Sequence, residues 1–241
     1  MRIAVISDIH ANLTALEAVI ADLRRTGADL VVQSGDLMSG GPRPAEVIDR
    51  IRDVNWPGVY GNTDEMLWMP HRVSETLRNP QVHRIRDLLL AHTIPQVLNA
   101  IGDERLDWLR ALPRQWSEDG LSVVHAVPDD VWPSVLPSAP DEELERVYGM
   151  FGSKHVVYGH IHCAFVRRVS GFTLTNSGAV GLSFDGDRRA SYALIDGDQV
   201  EIKRVDYDIE EEIRLLSRAD DPFATSTAET LRTGRCVPPS G

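Results

Sequence analysis

Residues 3–12 read Ile-Ala-Val-Ile-Ser-Asp-Ile-His-Ala-Asn and place an apolar run directly before a carboxylate and an imidazole. Four apolar residues that end at polar ones predict a short buried strand. Leucine and isoleucine then recur at helical spacing over residues 13–23, and Gly27 suits a helix C-terminus. The chain therefore begins with a strand, a polar loop and a helix.

The alternation of strand and helix continues after Gly27. Residues 29–33 predict a second strand, residues 44–53 a second helix, and residues 58–60 a third strand. This order predicts a largely parallel sheet. Because the strands are apolar throughout, we expect both faces of the sheet to be covered.

The rest of the chain has two further parts. Residues 64–117 carry amphipathic helical stretches and predict a helical insert. Strand patterns return at residues 121–125, and several short strands from residue 155 to residue 205 are separated by Gly and Asp turns. We interpret these later strands as a second, more antiparallel sheet.

The composition excludes several classes of protein. The 241 residues contain 25 Lys and Arg against 36 Asp and Glu, a net charge of −11, so we expect no binding of bulk nucleic acid. Cys163 and Cys236 cannot build a disulfide framework. The first residues lack the pattern of a secretion signal, and no apolar run reaches the length of a membrane span, so we expect a cytoplasmic protein without membrane contact.

Polar residues are concentrated where predicted strands end. They are Asp8, His10, Asp36, Asn62, His125, His160 and His162. Singly, each is explained as a turn former or a helix cap. Together they are expected in one crevice, since the carboxyl ends of strands in an α/β sheet converge there. A cluster of imidazoles and carboxylates requires cations to be tolerated, which predicts a metal site.

These segments, in the order Asp-x-His, Gly-Asp, Gly-Asn, strand-end His and Gly-His-x-His, resemble the calcineurin-like metallophosphoesterases. Residues 176–181, Asn-Ser-Gly-Ala-Val-Gly, resemble a turn of the small bacterial phosphodiesterase branch of that family. The resemblance implies an α/β, metallophosphoesterase-like fold, a two-sheet β-sandwich flanked by helices, over residues 1–218. We expect the helical insert to lie over the metal site, as lids on rigid scaffolds commonly do. Residues 219–241 lie outside the resemblance and, being rich in Ser, Thr and Pro, predict a flexible tail.

The resemblance also implies two divalent metal ions. One would be bound by Asp8, His10, Asp36 and His162, and the other by Asp36, Asn62, His125 and His160, with Asp36 as the bridge. Nitrogen and oxygen ligands without thiolate suit transition metals. We expect Mn²⁺, with Fe, Ni, Co or Zn as alternatives.

Two such ions can share a water, lower its pKa and clamp the oxygens of an in-line displacement. This chemistry predicts a phosphodiesterase that uses a metal-bridging hydroxide on a small, nucleotide-like phosphoester. The catalytic residues would be Asp36, Asn62, Thr63 and Asn12. Thr63 stands where many relatives have a His, and a hydroxyl cannot act as a general acid near neutral pH. Asn12 is expected to reach the phosphate or to cap the first helix.

Two other functions stay open at this point. One is a phosphomonoesterase that acts on a nucleotide, a dinucleoside polyphosphate or a phosphoprotein. The other is a metal-bound scaffold that binds a protein without catalysis, although all seven ligand positions are filled by competent residues. Five residues of the insert are candidate phosphate or base contacts, or simply solvated helix residues: His71, Arg72, His83, Arg84 and Arg86. No pattern indicates an oligomeric state.

Overall fold

The strands form two mixed sheets in the computed structural model, which describes residues 1–239. The first sheet has the order β2-β1-β8-β9 and the second the order β3-β4-β5-β7-β6. Their bounds are β1 (Arg2–Ile6), β2 (Leu30–Gln33), β3 (Gln115–Glu118), β4 (Leu121–Val124), β5 (His155–Tyr158), β6 (Phe165–Val169), β7 (Phe172–Asn176), β8 (Ala190–Asp196) and β9 (Gln199–Val205).

Helices flank both sheets. Their bounds are α1 (Leu13–Thr26), α2 (Pro44–Val54), α3 (Asn62–Glu65), α4 (His71–Thr76), α5 (His83–Leu88), α6 (Ile94–Ala111), α7 (Asp141–Tyr148), α8 (Ile209–Leu216) and α9 (Ala224–Thr233). A π-helical turn, Leu89–Thr93, joins α5 to α6. In the described part of the chain, no helix has both the length and the apolar character that crossing a membrane requires.

Alternate residues of each buried strand face different layers. Ile3 and Val5 of β1 pack between the sheets with Val123 and Val157 of the second sheet. The neighbouring Ile6 instead packs in the core that includes the buried face of α1. Because neither face of β1 meets solvent, apolar residues occupy both. The predicted two-sheet sandwich flanked by helices is confirmed.

The pairing of the strands differs from the simplest interpretation of their order. The later strands do not form one sheet, since β8 pairs antiparallel with β1 and brings β9 into the first sheet. Residues 58–60 are not a strand, because only an isolated bridge joins Gly58 to Gln33. The amide of Tyr60 turns away to donate to the carbonyl of Pro113, which ends the pairing.

The predicted helical insert is shorter than residues 64–117. Gln115–Glu118 form β3, an edge strand antiparallel to β4, and Trp116 packs against the core between the sheets. Helices occupy the preceding part of the insert, where Arg105 of α6 forms an ion pair with Asp49 of α2 at 2.6 Å. This ion pair joins the insert to α2.

The predicted flexible tail is wrong for residues 224–233, which form α9 beside α8. The composition misleads here because small hydroxyl residues also pack well between helices. Thr230 and Leu231 are buried, and the hydroxyl of Ser226 donates to the carbonyl of Phe223. The C-terminal segment is therefore part of the folded unit.

We expect Leu231→Ala to lower the free energy of unfolding by about 2–4 kcal/mol, because it removes a buried side chain from α9 and leaves a cavity. Urea unfolding measures the change. The control is Leu136→Ala, whose side chain is 59% exposed and whose loss should change the free energy by less than about 0.5 kcal/mol. Equal effects of the two changes would contradict the packing of α9.

Candidate metal centre

The polar residues at the strand ends lie together at one edge of the sandwich. The loops after β1 and β2 carry Asp8, His10 and Asp36, and the loop after β5 carries His160 and His162. His125 directly follows β4, and Asn62 begins α3. The residues therefore lie in one crevice, as predicted, and both sheets contribute to it.

A first set of four buried residues consists of Asp8, His10, Asp36 and His162. Nε2 of His10 lies 3.1 Å from Nε2 of His162, which is in turn 3.2 Å from Oδ1 of Asp8. Oδ2 of Asp36 lies 3.7 Å from Nε2 of His10. These atoms converge closely enough to bind one cation.

A second set adjoins the first through Asp36. Oδ1 of Asp36 lies 3.4 Å from Nε2 of His125, and His160 completes the group. Oδ1 of Asn62 lies 3.0 Å from Nε2 of His125 and 2.8 Å from Nδ1 of His160. Asp36 thus places one oxygen toward each set, which is the arrangement of a bridging ligand.

Three of the imidazoles are oriented by main-chain carbonyls. Nδ1 of His10 lies 2.6 Å from the carbonyl oxygen of Ser39. Nδ1 of His125 lies 2.8 Å from the carbonyl oxygen of Ser34, and Nδ1 of His162 lies 2.5 Å from that of Leu182. A carbonyl only accepts, so Nδ1 carries the proton and neutral Nε2 is left with a free lone pair. The facing lone pairs of His10 and His162 therefore fit a cation between them.

The charges of the first set support the same conclusion. Burial opposes ionisation of Asp8, but nearby imidazoles outweigh it and hold the pKa of Asp8 below its usual range. Burial also lowers the pKa of His10, and His162 lowers it further. In His162 burial is outweighed by Asp8, which raises the pKa of the imidazole. A divalent cation binds these imidazoles in their neutral form and Asp8 in its ionised form, so metal binding would compete with protonation of the first set.

Five of the predicted ligands have a left-handed backbone. The φ angles are 54° at Asp8, 51° at His10, 55° at Asp36, 66° at His160 and 55° at His162. Non-glycine residues adopt this region rarely, and such strain is concentrated at functional sites. The loops are therefore held in shapes that their residues do not prefer.

Asp64 holds two of these loops together. Its fully buried carboxylate accepts from the amides of Asp36 (2.9 Å), Leu37 (3.0 Å), Met38 (3.2 Å) and Gly61 (2.9 Å). Burial and the charge of Asp36 raise the pKa of Asp64 to about 7, while the amides of Gly61 and Met38 act in the opposite direction. Asp64 both caps α3 and positions the loop of Asp36.

Thr63 and Asn12 have structural partners. The amide of Thr63 donates to Oδ1 of Asp36 at 2.9 Å, and its hydroxyl donates to the carbonyl of Met38. Asn12 caps α1, since its Oδ1 accepts from the amide of Ala15, and its Nδ2 donates to the carbonyl of Gly181. The capping alternative is thus observed for Asn12, and its contact with phosphate stays a prediction.

The candidate residues of the insert do not join the cluster. Arg72 forms hydrogen bonds to both carboxylate oxygens of Asp130, in the loop after His125, at 2.5 and 2.6 Å. His83 contacts a carbonyl of its own segment, and Arg86 pairs with Asp87. His71 and Arg84 are exposed. Arg72 therefore joins the insert to the loop that follows β4, a role that no sequence motif signalled.

Comparisons with known proteins identify the family and the fold of the chain. Residues 1–199 match the family model of the calcineurin-like phosphoesterase superfamily domain. An uncharacterized protein of Methanocaldococcus jannaschii is 31% identical over 230 residues, which cover 86% of this chain and 88% of that protein. The crystal structure of a metallophosphoesterase from Sphaerobacter thermophilus is 27% identical, with a TM-score of 0.79, over 97% of this chain and 99% of that one.

A second solved structure shares the fold. It is a hypothetical protein from Pyrococcus horikoshii, 22% identical, with a TM-score of 0.78, covering 97% of this chain and 98% of that one. The fold thus extends over nearly all of the chain, well beyond the residues of the family model.

We expect Asp36→Ala to lose most of the bound metal, because the change removes an oxygen from each ligand set. Elemental analysis of protein loaded with Mn²⁺ measures the stoichiometry. The matched control is Asp103→Ala, an exposed carboxylate of α6 that should leave the metal content unchanged. Two equivalents retained in Asp36→Ala would contradict the bridging position.

Gly61→Ala should weaken metal binding about 10–100-fold, the usual effect of disturbing groups that orient metal ligands. A Cβ at residue 61 would overlap Oδ1 of Asp36 and would lie 2.5 Å from the main-chain N of Asp36 and 2.8 Å from Cε1 of His125, so the loop of Asp36 and the ring of His125 must both shift. Titration with Mn²⁺ measures the dissociation constant.

Gly171→Ala is the control for that experiment, since a Cβ there meets open space. Equal affinity in Gly61→Ala and Gly171→Ala would show that the close approach at Gly61 does not matter for binding.

Proposed function

Since the chain belongs to the calcineurin-like phosphoesterase superfamily, we propose that this phosphoester hydrolase is a phosphodiesterase that holds two divalent metal ions. The observation that carries the proposal is the position of Asp36, whose two oxygens face the two ligand sets. These residues would hold the ions, which when bound would supply Lewis acidity to the phosphoester and lower the pKa of a water molecule.

Residues of the protein orient the candidate metal ligands and set the charge around them. His10, His125 and His162 are aimed by carbonyls, so their Nε2 atoms need no reorientation when an ion binds. Asn62 presents an uncharged oxygen to the second set and adds no further negative charge there. The four residues of the first set are buried, and burial strengthens the electrostatic interactions among them.

The preference for diesters rests on Thr63. Its hydroxyl donates to the carbonyl of Met38 and offers no proton of suitable acidity to a departing alcohol. We therefore propose a substrate whose leaving group needs little help from a general acid, a small and nucleotide-like diester. The preference for Mn²⁺ and the cytoplasmic location stay predictions from the sequence.

Hydrolysis of bis(4-nitrophenyl) phosphate and of 4-nitrophenyl phosphate tests the proposal directly. Protein with two equivalents of Mn²⁺ should hydrolyse the diester faster than the monoester, and a chelator should abolish both activities. Faster hydrolysis of the monoester would favour the phosphomonoesterase alternative. No hydrolysis of either compound by protein that holds two ions would favour the non-catalytic scaffold.

Thr63→His should raise monoester turnover relative to diester turnover by about 10²-fold, the lower end of general-acid contributions, if the missing imidazole sets the preference. The ratio of kcat values measures the effect, with metal content determined in parallel. Thr63→Ser is the matched control, because it keeps a hydroxyl for Met38 without adding an acid. An unchanged ratio in Thr63→His with both ions bound would remove this explanation.

A further inference from the structure

A pocket of about 280 Å³ lies beside the metal centre, where His10 forms part of its wall. The insert supplies one side through Ile85 and Leu89, and the C-terminal segment supplies another through Phe223. Phe184 also lines it and stacks on the ring of His162, with ring centroids 4.2 Å apart. The pocket therefore adjoins the first ligand set at His10, and residues beyond the family match complete it.

The lining of the pocket suits an uncharged group. Among the described residues that line it there is no Lys or Arg, and the one carboxylate is Asp221. Burial raises the pKa of Asp221, and its Oδ1 accepts from the amide of Phe223. A further phosphate in this space would meet apolar side chains and no fixed cation. Aromatic walls instead favour a flat ring.

Thr93 supplies an independent indication of a ligand. It lines the pocket at the end of the π-helical turn Leu89–Thr93, and its side chain is buried, with 6% exposure. Its Oγ1 has no hydrogen-bond partner among the described residues. Buried hydroxyls are normally paired, and single π-helical turns occur often at functional sites. Because Oγ1 itself is closed to solvent in this conformation, a polar atom of a bound ligand would satisfy the hydroxyl once the Thr93 side chain rotates toward the pocket.

We propose that this pocket binds one ester group of the phosphodiester, an uncharged aromatic ring such as a nucleobase or an aryl group, with Thr93 bound to one of its polar atoms. The inference rests on the proposed function, because the phosphate of the same molecule would lie at the metal centre beside His10. Substrates with an additional phosphate at this position are disfavoured. The insert and the C-terminal segment thus determine specificity together.

Alkylation of Cys236 tests the pocket without measuring hydrolysis. Cys236 lines the pocket and is exposed, whereas Cys163 does not line it and serves as the internal reference. Excess diphenyl phosphate should slow the reaction of Cys236 with iodoacetamide about tenfold in Mn²⁺-loaded protein, while dimethyl phosphate should not. Mass spectrometry measures both cysteines. Equal rates with the two diesters would overturn the proposal.

A pair of substitutions in α5 provides a second test. Ile85→Trp fills the pocket and should weaken protection of Cys236 by diphenyl phosphate about tenfold, the scale of changes in apolar pockets. Leu88→Trp adds the same bulk on the same helix to a half-buried position outside the pocket and should leave protection unchanged. Equal protection in the two variants would place the ring elsewhere.

The two proposals fail in different ways. Protection of Cys236 without hydrolysis of any diester would overturn the proposed function and support the pocket. Hydrolysis of bis(4-nitrophenyl) phosphate without protection by diphenyl phosphate would overturn the pocket and support the phosphodiesterase.

Discussion

The buried carboxylate of Asp64 is the interaction on which the candidate centre depends. It accepts hydrogen bonds from four amides in the loop after β2 and the loop before α3, one of which is the amide of Asp36, and so holds the main chain of Asp36 in place. The amide of Thr63 donates a hydrogen bond to Oδ1 of Asp36 and so orients its side chain. Because four buried donors would lose their partner together, few other groups could replace this one. The carboxylate that faces both ligand sets is therefore positioned by groups of the protein itself.

Much of the fold and of the centre could be predicted from the sequence, for a definite reason. The order of strand and helix fixes where strand ends lie, so polar residues such as Asp8 and His162 were predicted together and are found together. The pairing of β8 with β1 could not be predicted. A strand buried on both faces has the same apolar pattern in either sheet, and only the packing of the whole chain selects its neighbour.

The rest of the site was missed for a different reason. The carbonyls that orient His10, His125 and His162 belong to residues of no particular type, since every residue has a carbonyl. The pocket depends on α9, whose hydroxyl-rich sequence gave the wrong expectation of a flexible tail. Sequence motifs identify the candidate ligand side chains. The pocket beside them is formed by elements such as α9, whose structure cannot be predicted from composition.

The pairing of β1 with β8 also affects the order in which the protein folds. Arg2 pairs with Asp196, a separation of 194 residues, and β1 lies inside its sheet. At about 5–20 residues per second of synthesis, the first strand waits on the order of ten seconds for this neighbour. Such distant pairing slows folding. The loop after β1, with its carboxylate and imidazole, therefore reaches its final surroundings only after most of the chain has left the ribosome, so a metal site built on this loop would be completed late in folding.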